Sequence, residues 1–282
     1  MNILTFDTEE WFHLLDNDST KSEYQWDNFE VRIYRNVDKI LQILDDTDTK
    51  ATFFVIGWVA KKYPDLGKRI AQKYEIGSHT MNHQLVWQQT RDEFREDVYA
   101  SKALLEDVTG KSIDSFRAPG FSIRSTETWA FDILAELGFT TDCSIFPAEH
   151  AHGGMPEYQA LGPAIIERNG FELKEFPITY KKIVGKNTVF SGGGYFRLFP
   201  YYLIKKWTSQ QSDYLMSYIH PRDLDAGQPM IKDLSLGRKF RSYYGLANTE
   251  YKLRRWLNDF NFVDLKTADA LIDWKKVNKI KL

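Results

Sequence analysis

The 282-residue chain has a single cysteine, Cys143, so no disulfide can form within it, and the count suits a reducing compartment. Charge of one sign is also missing. Lys and Arg number 37 against 39 Asp and Glu. That balance argues against a general nucleic-acid binder, which carries a basic excess. No apolar run approaches the roughly 18 residues of a helical membrane span. The first residues, Met1-Asn2-Ile3-Leu4-Thr5-Phe6-Asp7, lack the basic region and apolar stretch of a signal peptide. A cytoplasmic location is therefore expected. Repeats, low-complexity tracts and Pro/Gly/Ser-rich linkers are absent, so a single domain over 1–282 is the expectation.

What the chain does have is aromatic mass: eight Trp, 15 Tyr and 19 Phe, enough to exclude disorder. Short apolar runs alternate with longer amphipathic stretches. Strands are expected at 3–6, 51–56, 74–78, 113–117 and 139–143. Helices are expected between them at 31–44, 58–73, 91–108 (closed by Gly110) and 125–137 (opened by Ser125 as cap). Four strand–helix repeats point to an α/β fold with parallel strands, either a barrel or a doubly wound sheet. A Gly-rich stretch from about 149 to 200 interrupts the rhythm, with 171–178 as its best strand. The rhythm returns with a helix at 201–211, a strand at 214–219, a helix at 249–260, a strand at 262–265 and a closing helix at 268–274.

Chemistry-bearing residues fall where the strands end. The first strand ends at Asp7, followed by Glu9 and Glu10. The third ends at Ser78-His79, with His83 four residues on, the fourth at Arg117, and the late strand at His220. Parallel α/β folds place their active sites at the carboxyl ends of strands, so these side chains converge on one face. His79 and His83 have the i, i+4 spacing of one helical turn and could share a metal. Position 80 is Thr, so the Glu of a zincin motif is missing. Glu9 or Asp7 can supply a third ligand. Extended backbone puts Asp7 and Glu9 on one side, so one carboxylate can bind metal while the other serves as base. Glu10, Asp16 and Asp18 are expected to be surface charges.

These residues carry a family resemblance. Thr5-Phe6-Asp7-Thr8-Glu9, His79-Thr80-Met81-Asn82-His83, Arg117-Ala118-Pro119 and Tyr218-Ile219-His220 resemble, in order, the motifs of NodB-type polysaccharide deacetylases, carbohydrate esterase family 4. The later segments, Ser191 to Arg197, His220-Pro221 and 240–262, resemble a branch linked to exopolysaccharide and O-antigen gene clusters. The resemblance implies a distorted (β/α) barrel and a divalent metal, zinc first, on Glu9, His79 and His83. It implies Asp7 as base, Arg117 holding Asp7, and His220 protonating the leaving amine, with Asp142 orienting His220. A backbone N–H near Gly120 would meet the oxyanion. The substrate would be an N-acetylated sugar or glycan. The first motif departs from the common form: Thr8 stands where the second acid usually falls. Branches that space two acids by one residue include hydrolases of cyclic imides and ureides. Hydrolysis of another C–N bond is thus the alternative, and a non-catalytic glycan-binding protein the third reading.

Other residues have quieter expectations. His150 and His152 are not expected to be ligands. His13 is expected in the core, and Trp207, Trp256 and Trp274 between helices. Cys143 should be buried and inert. Gly192 to Gly194 is no phosphate loop, since no Lys-Ser/Thr follows, and should permit tight turns or close approach. Tyr195 and Arg197 are candidates to contact substrate.

Overall fold

The computed structural model describes residues 1–183, 185–211 and 213–282. The first two strands, β1 (Asn2–Ile3) and β2 (Thr5–Thr8), form one nearly continuous run through the middle of the molecule. From β2 the main sheet extends through β3 (Thr52–Val55), β4 (Glu75–Ser78), β5 (Ser115–Phe116) and β6 (Thr141–Asp142), all in parallel. β8 (Phe171–Glu175) continues it in parallel, and β7 (Ala164–Arg168) adds antiparallel to β8. A second hairpin, β9 (Lys181–Ile183) with β10 (Lys186–Thr188), stands apart. On the other flank β1 lies between β11 (Leu215–Met216) and β12 (Phe262–Val263), again parallel. An isolated bridge between Phe6 and Ile219 carries the β11 segment alongside β2. The strands thus curl into the distorted barrel expected. The closing strand, β13 (Asn278–Lys281), pairs with β7 at the far edge.

The helices wrap this sheet. The first, α1 (Glu23–Trp26), is one turn, and α2 (Ile33–Asp46) is the long helix expected from the apolar spacing. The single helix expected over 58–73 is two, α3 (Gly57–Lys62) and α4 (Pro64–Lys73). The break falls at Tyr63 because Pro64 offers no N–H to continue the ladder and instead opens the next helix. α5 (Arg91–Thr109) starts on a Thr90/Glu93 capping box and ends at Gly110 with φ of +66°. α6 (Trp129–Glu136) follows Thr128, whose hydroxyl accepts from Arg168 rather than capping the helix, and Ser125 opens only a 3₁₀ turn. Further on lie α7 (Gly193–Leu198), α8 (Tyr201–Ser209), α9 (Leu236–Tyr243), α10 (Thr249–Asp259) and α11 (Leu265–Leu271). The last starts three residues earlier than expected, because Asp264 accepts the Thr267 N–H and caps it.

The stretch at 149–200 is not uniformly irregular. Asn169 and Gly170, both at positive φ, turn β7 back on β8 and bring that hairpin into the main sheet. Gly192 fills the close-approach role expected of it, for a Cβ there would lie 2.2 Å from the Tyr218 carbonyl oxygen. Among the described residues no helix is long and apolar enough to cross a membrane.

Candidate active site

β2 alternates. Phe6 turns to the helices and stacks on Phe53 at 5.1 Å, whereas Thr5 and Asp7 turn into the barrel. There the Arg117 guanidinium, fully buried, meets both: Nη1 donates to Thr5 Oγ1 at 2.6 Å and to Asp7 Oδ1 at 2.7 Å. Its Nε donates to the Cys143 carbonyl, and its plane lies 4.3 Å from the Phe54 ring centroid. Burial opposes the charge, but Asp7 outweighs it and keeps the Arg117 pKa above its usual value. Asp7 is therefore gripped from behind on one oxygen and leaves Oδ2 for the cavity.

Glu9, His79 and His83 offer ligand atoms that all lie within 4.8 Å of one another, and all three are buried. The imidazole of His79 is oriented by a 2.7 Å hydrogen bond between Nδ1 and the Arg117 carbonyl oxygen. A carbonyl only accepts, so Nδ1 carries the proton and Nε2 is the free ligand atom. Burial pulls the His79 pKa down to about 4, which keeps the ring neutral at ordinary pH. His83 Nε2 lies 2.7 Å from Glu9 Oε2. Burial would raise the Glu9 pKa, but the charge and hydrogen bond of His83, then His220 and His79, outweigh it and hold the carboxyl at about 2. These residues fit a divalent cation: two imidazoles and a carboxylate, close together, with the Arg117 carbonyl fixing the His79 tautomer.

The route to this arrangement differs from the one expected. His79 and His83 do not share a helical turn. They bracket a loop in which Thr80 and His83 both have positive φ, at 65° and 54°. Asp97 of α5 holds the loop, accepting the Met81 N–H at 2.7 Å and the Asn82 N–H at 3.1 Å. Gly57 allows this packing, since a Cβ there would fall 2.4 Å from Met81 Sδ.

His220 follows the β11 segment, and its Nε2 lies 3.9 Å from Asp7 Oδ2 and 3.9 Å from Glu9 Oε1. Its Nδ1 is 3.0 Å from Asp223 Oδ2, which also accepts the His220 backbone N–H at 2.9 Å. Burial alone would lower the imidazole pKa. The Asp223 hydrogen bond and charge, with Glu9 and Asp7, override it and raise His220 to about 9. Asp223 is in turn ion-paired with Arg197 at 3.0 Å and held well below the usual carboxylate range.

Asp142 is therefore not the partner of His220. Its carboxylate accepts the Ser144 N–H at 2.9 Å and the Ser144 hydroxyl at 2.6 Å, and it pairs with Glu175 inside the barrel wall. Asp142 in that role is what the family resemblance implies. The sequence signal for Asp223 is His220-Pro221-Arg222-Asp223, where Pro opens a 3₁₀ turn and the acid three residues on folds back to its start. Arg197, expected to touch substrate, directs its guanidinium to Asp223 and to the carbonyls of Ser242 and Arg241. Glu10 is not a surface charge: it is buried and caps α2 by accepting the Arg32 and Ile33 N–H groups at 2.8 and 2.9 Å. Asp16 pairs with His152 at 2.6 Å, and Asp18 is exposed as expected. His13 is buried against Trp26 and Trp58, and Trp256 is fully buried.

Asp7, Glu9, His79, His83, His220 and Asp223 all open onto one cavity of about 570 Å³. Its floor holds Asp7, Glu9, His79 and His83, and its rim comes from the second half of the chain, including Tyr195, Arg238, Phe240 and Tyr244.

Comparison with known proteins agrees with this architecture. Residues 17–141 match the family described as Polysaccharide deacetylase, and residues 143–270 match a domain of unknown function, DUF3473. The chain carries a polysaccharide deacetylase domain of the NodB type, the domain of carbohydrate esterase family 4. Curated relatives include a peptidoglycan-N-acetylglucosamine deacetylase of Bacillus cereus, 34% identical over 94 residues, covering 33% of this chain and 34% of that protein. A chitooligosaccharide deacetylase of Sinorhizobium fredii is 36% identical over 98 residues, covering 34% and 43%. The chain thus aligns with less than half the length of these relatives. Among solved structures, a candidate polysaccharide deacetylase from Mycobacterium smegmatis superimposes with a TM-score of 0.63 at 17% identity, covering 100% of this chain and 94% of that one. That likeness shows the shared fold. Asp7 and Glu9 precede the deacetylase match and His220 and Asp223 follow it, so the site spans both matched regions and the segment before them.

Proposed function

We propose that the chain is a metal-dependent N-deacetylase acting on an acetamido sugar, with Glu9, His79 and His83 holding zinc. The observation that supports it best is the meeting of three units on one cavity: a ligand triad, an Arg-held carboxylate and an Asp-held imidazole. A bound divalent cation would supply Lewis acidity toward the acetamide carbonyl. Asp7 takes a proton from water as the water oxygen attacks the carbonyl carbon. Arg117 holds Asp7 in place and aims it through a charge-assisted bond. The Gly120 backbone, at φ of +59° in the cavity wall, is our candidate oxyanion donor. His220, charged at neutral pH, then passes its Nε2 proton to the nitrogen as the C–N bond breaks. Acetate and a free amino sugar leave. We place this reaction in bacterial surface-polysaccharide synthesis, on the likeness of the later segments to that branch, and we take the chain to act as one domain.

Elemental analysis of the purified protein beside His83→Ala tests the reading. About one metal per chain, lost in the variant, with acetate released from an N-acetylated sugar, is the expected result. Absence of metal in both, even after reconstitution, would overturn it. Ammonia or a ureide product without acetate would favour hydrolysis of another C–N bond.

A further inference from the structure

The rim of the cavity carries more positive charge than its own acids can neutralise. Each buried acid at the floor is committed: Asp7 to Arg117, Glu9 to His83, Asp223 to Arg197 and His220. Asp16 at the rim bonds His152, whose pKa burial lowers, so Asp16 still offsets one of the rim charges. Among the lining arginines only Arg197 has a carboxylate partner among the described residues. Arg222 is 6% exposed, yet its bonds go to neutral oxygens, Gln228 Oε1 at 3.1 Å and the Ser242 carbonyl at 3.5 Å. Arg238 donates to the carbonyls of Leu15 and Asp16. Arg241 is exposed, and its guanidinium has no partner among the described residues. Another lining carboxylate, the exposed Glu149 on the 149–154 loop, offsets part of this. Beside these arginines, Phe240 and Tyr244 stand half-exposed with ring centroids 4.7 Å apart, and Tyr195 is partly exposed as well.

Burial and Arg197 lower the Arg222 pKa more than the nearby charges of Asp223 and Glu9 raise it, so its charge is only partly offset and a ligand's charge would offset the rest. We propose that the substrate is an anionic acetamido sugar. Its phosphate or uronate, next to the sugar being deacetylated, is read by Arg222, Arg238 and Arg241, while Phe240, Tyr244 and Tyr195 take sugar faces. Guanidinium groups pair with phosphate and carboxylate in the same forked geometry, so both sources share this chemistry. A neutral chitin-type chain leaves the charge unmet. The inference rests on the deacetylase reading for the sugar, but the charge argument stands on the rim alone.

Equilibrium binding to the full, metal-loaded chain tests it by calorimetry, at low salt and at 0.2 M salt. The probes are UDP-N-acetylglucosamine for phosphate, a hyaluronan tetrasaccharide for uronate, and neutral tri-N-acetylchitotriose. At least one anionic probe is expected to bind about tenfold or more tightly than the neutral one. Its affinity should fall with salt and drop several-fold in Arg241→Gln, whose exposed side chain leaves the fold untouched. Whichever anionic probe wins identifies the source of the charge. Equal or tighter binding of the neutral probe, or weak binding of all three without salt dependence, overturns the inference. Tight anionic binding with no acetate released from any probe would leave the charge preference standing and remove the deacetylase reading. Efficient acetate release from a neutral chain that binds best would do the reverse.

Discussion

Replacing Asp223 by Asn removes the carboxylate charge beside His220, together with the ion pair to Arg197. The His220 pKa is held at about 9 against an ordinary 6.5. A difference of that size corresponds to about 3 kcal/mol favouring the charged imidazole. The side chain keeps 23% of its surface, so solvent screening makes this an upper bound. Burial opposes the shift, and Asp223 leads the groups that raise it, ahead of Glu9 and Asp7. Asn can still accept both the Nδ1–H and the backbone N–H of His220, so the ring should stay in place while the charge is lost. The His220 pKa should then fall by about 1–2 units. If His220 must be protonated to release the amine, the alkaline limb of the pH–rate profile moves down by the same amount, and turnover at pH 8 drops several-fold to about tenfold. A bound cation weakens the pull of Glu9 and Asp7 on His220, so both limbs lie at or below pH 9, but their separation persists. The profile of kcat/KM for acetate release, with an NMR titration of His220, measures it. An alkaline limb that does not move refutes the assignment of His220 as a proton donor tuned by Asp223. Asp142→Asn, with no bond to His220, should leave the limb where it is.

Three further perturbations have definite outcomes. Asp7→Asn should lower acetate release by about 10²–10⁴-fold with metal content unchanged. It should also lower the melting temperature, since stranding the buried Arg117 charge costs about 3–5 kcal/mol. Glu175 and Asp142 both have raised pKa values, chiefly from burial, so the pair retains a proton on folding. Stability from a raised carboxyl is full below the unfolded pKa near 4.5 and is lost as pH rises toward the folded value, by about 1.4 kcal/mol per unit for each proton retained. Glu175→Gln keeps a donor toward Asp142 and should flatten that loss in denaturant titrations between pH 5 and 8, whereas an unchanged slope would count against a protonated Glu175. Asp97→Ala removes the acceptor that fixes the 79–83 loop and should weaken metal affinity by about 10–100-fold in chelator competition, with the fold retained.

The repeating strands and helices of the first 143 residues were legible because periodicity and caps agree there: Thr90 with Glu93 at one end of α5, Gly110 at the other. Where the structure departs from periodicity, the causes are local. Pro64 splits a helix whose apolar spacing runs straight through it. The histidine loop escapes prediction because its shape depends on Asp97, 14 residues beyond His83, and on the room left by Gly57. Asn169-Gly170 is a hairpin signal that the surrounding glycine-rich stretch masks. Asp142 and Asp223 could not be separated by type or by order, since both are acids near a strand end. Only the three-residue fold-back after Pro221 distinguishes them.

The second half of the chain contributes more than a lid. Arg197 ion-pairs Asp223 and donates to the carbonyls of Ser242 and Arg241 at the end of α9. Gly194 and Gly245 leave room for this, since a Cβ on Gly245 would fall 2.7 Å from the Arg197 carbonyl oxygen. The residue that tunes the proposed proton donor and the helix that bears Arg238 and Arg241 are thus fastened to one guanidinium. A change that displaces α9 pulls on Asp223 and through it on His220. The proposed substrate preference at the rim and the protonation state of the imidazole would therefore be properties of one linked assembly built from 193–245, while Glu9, His79, His83 and Asp7 belong to the first 83 residues.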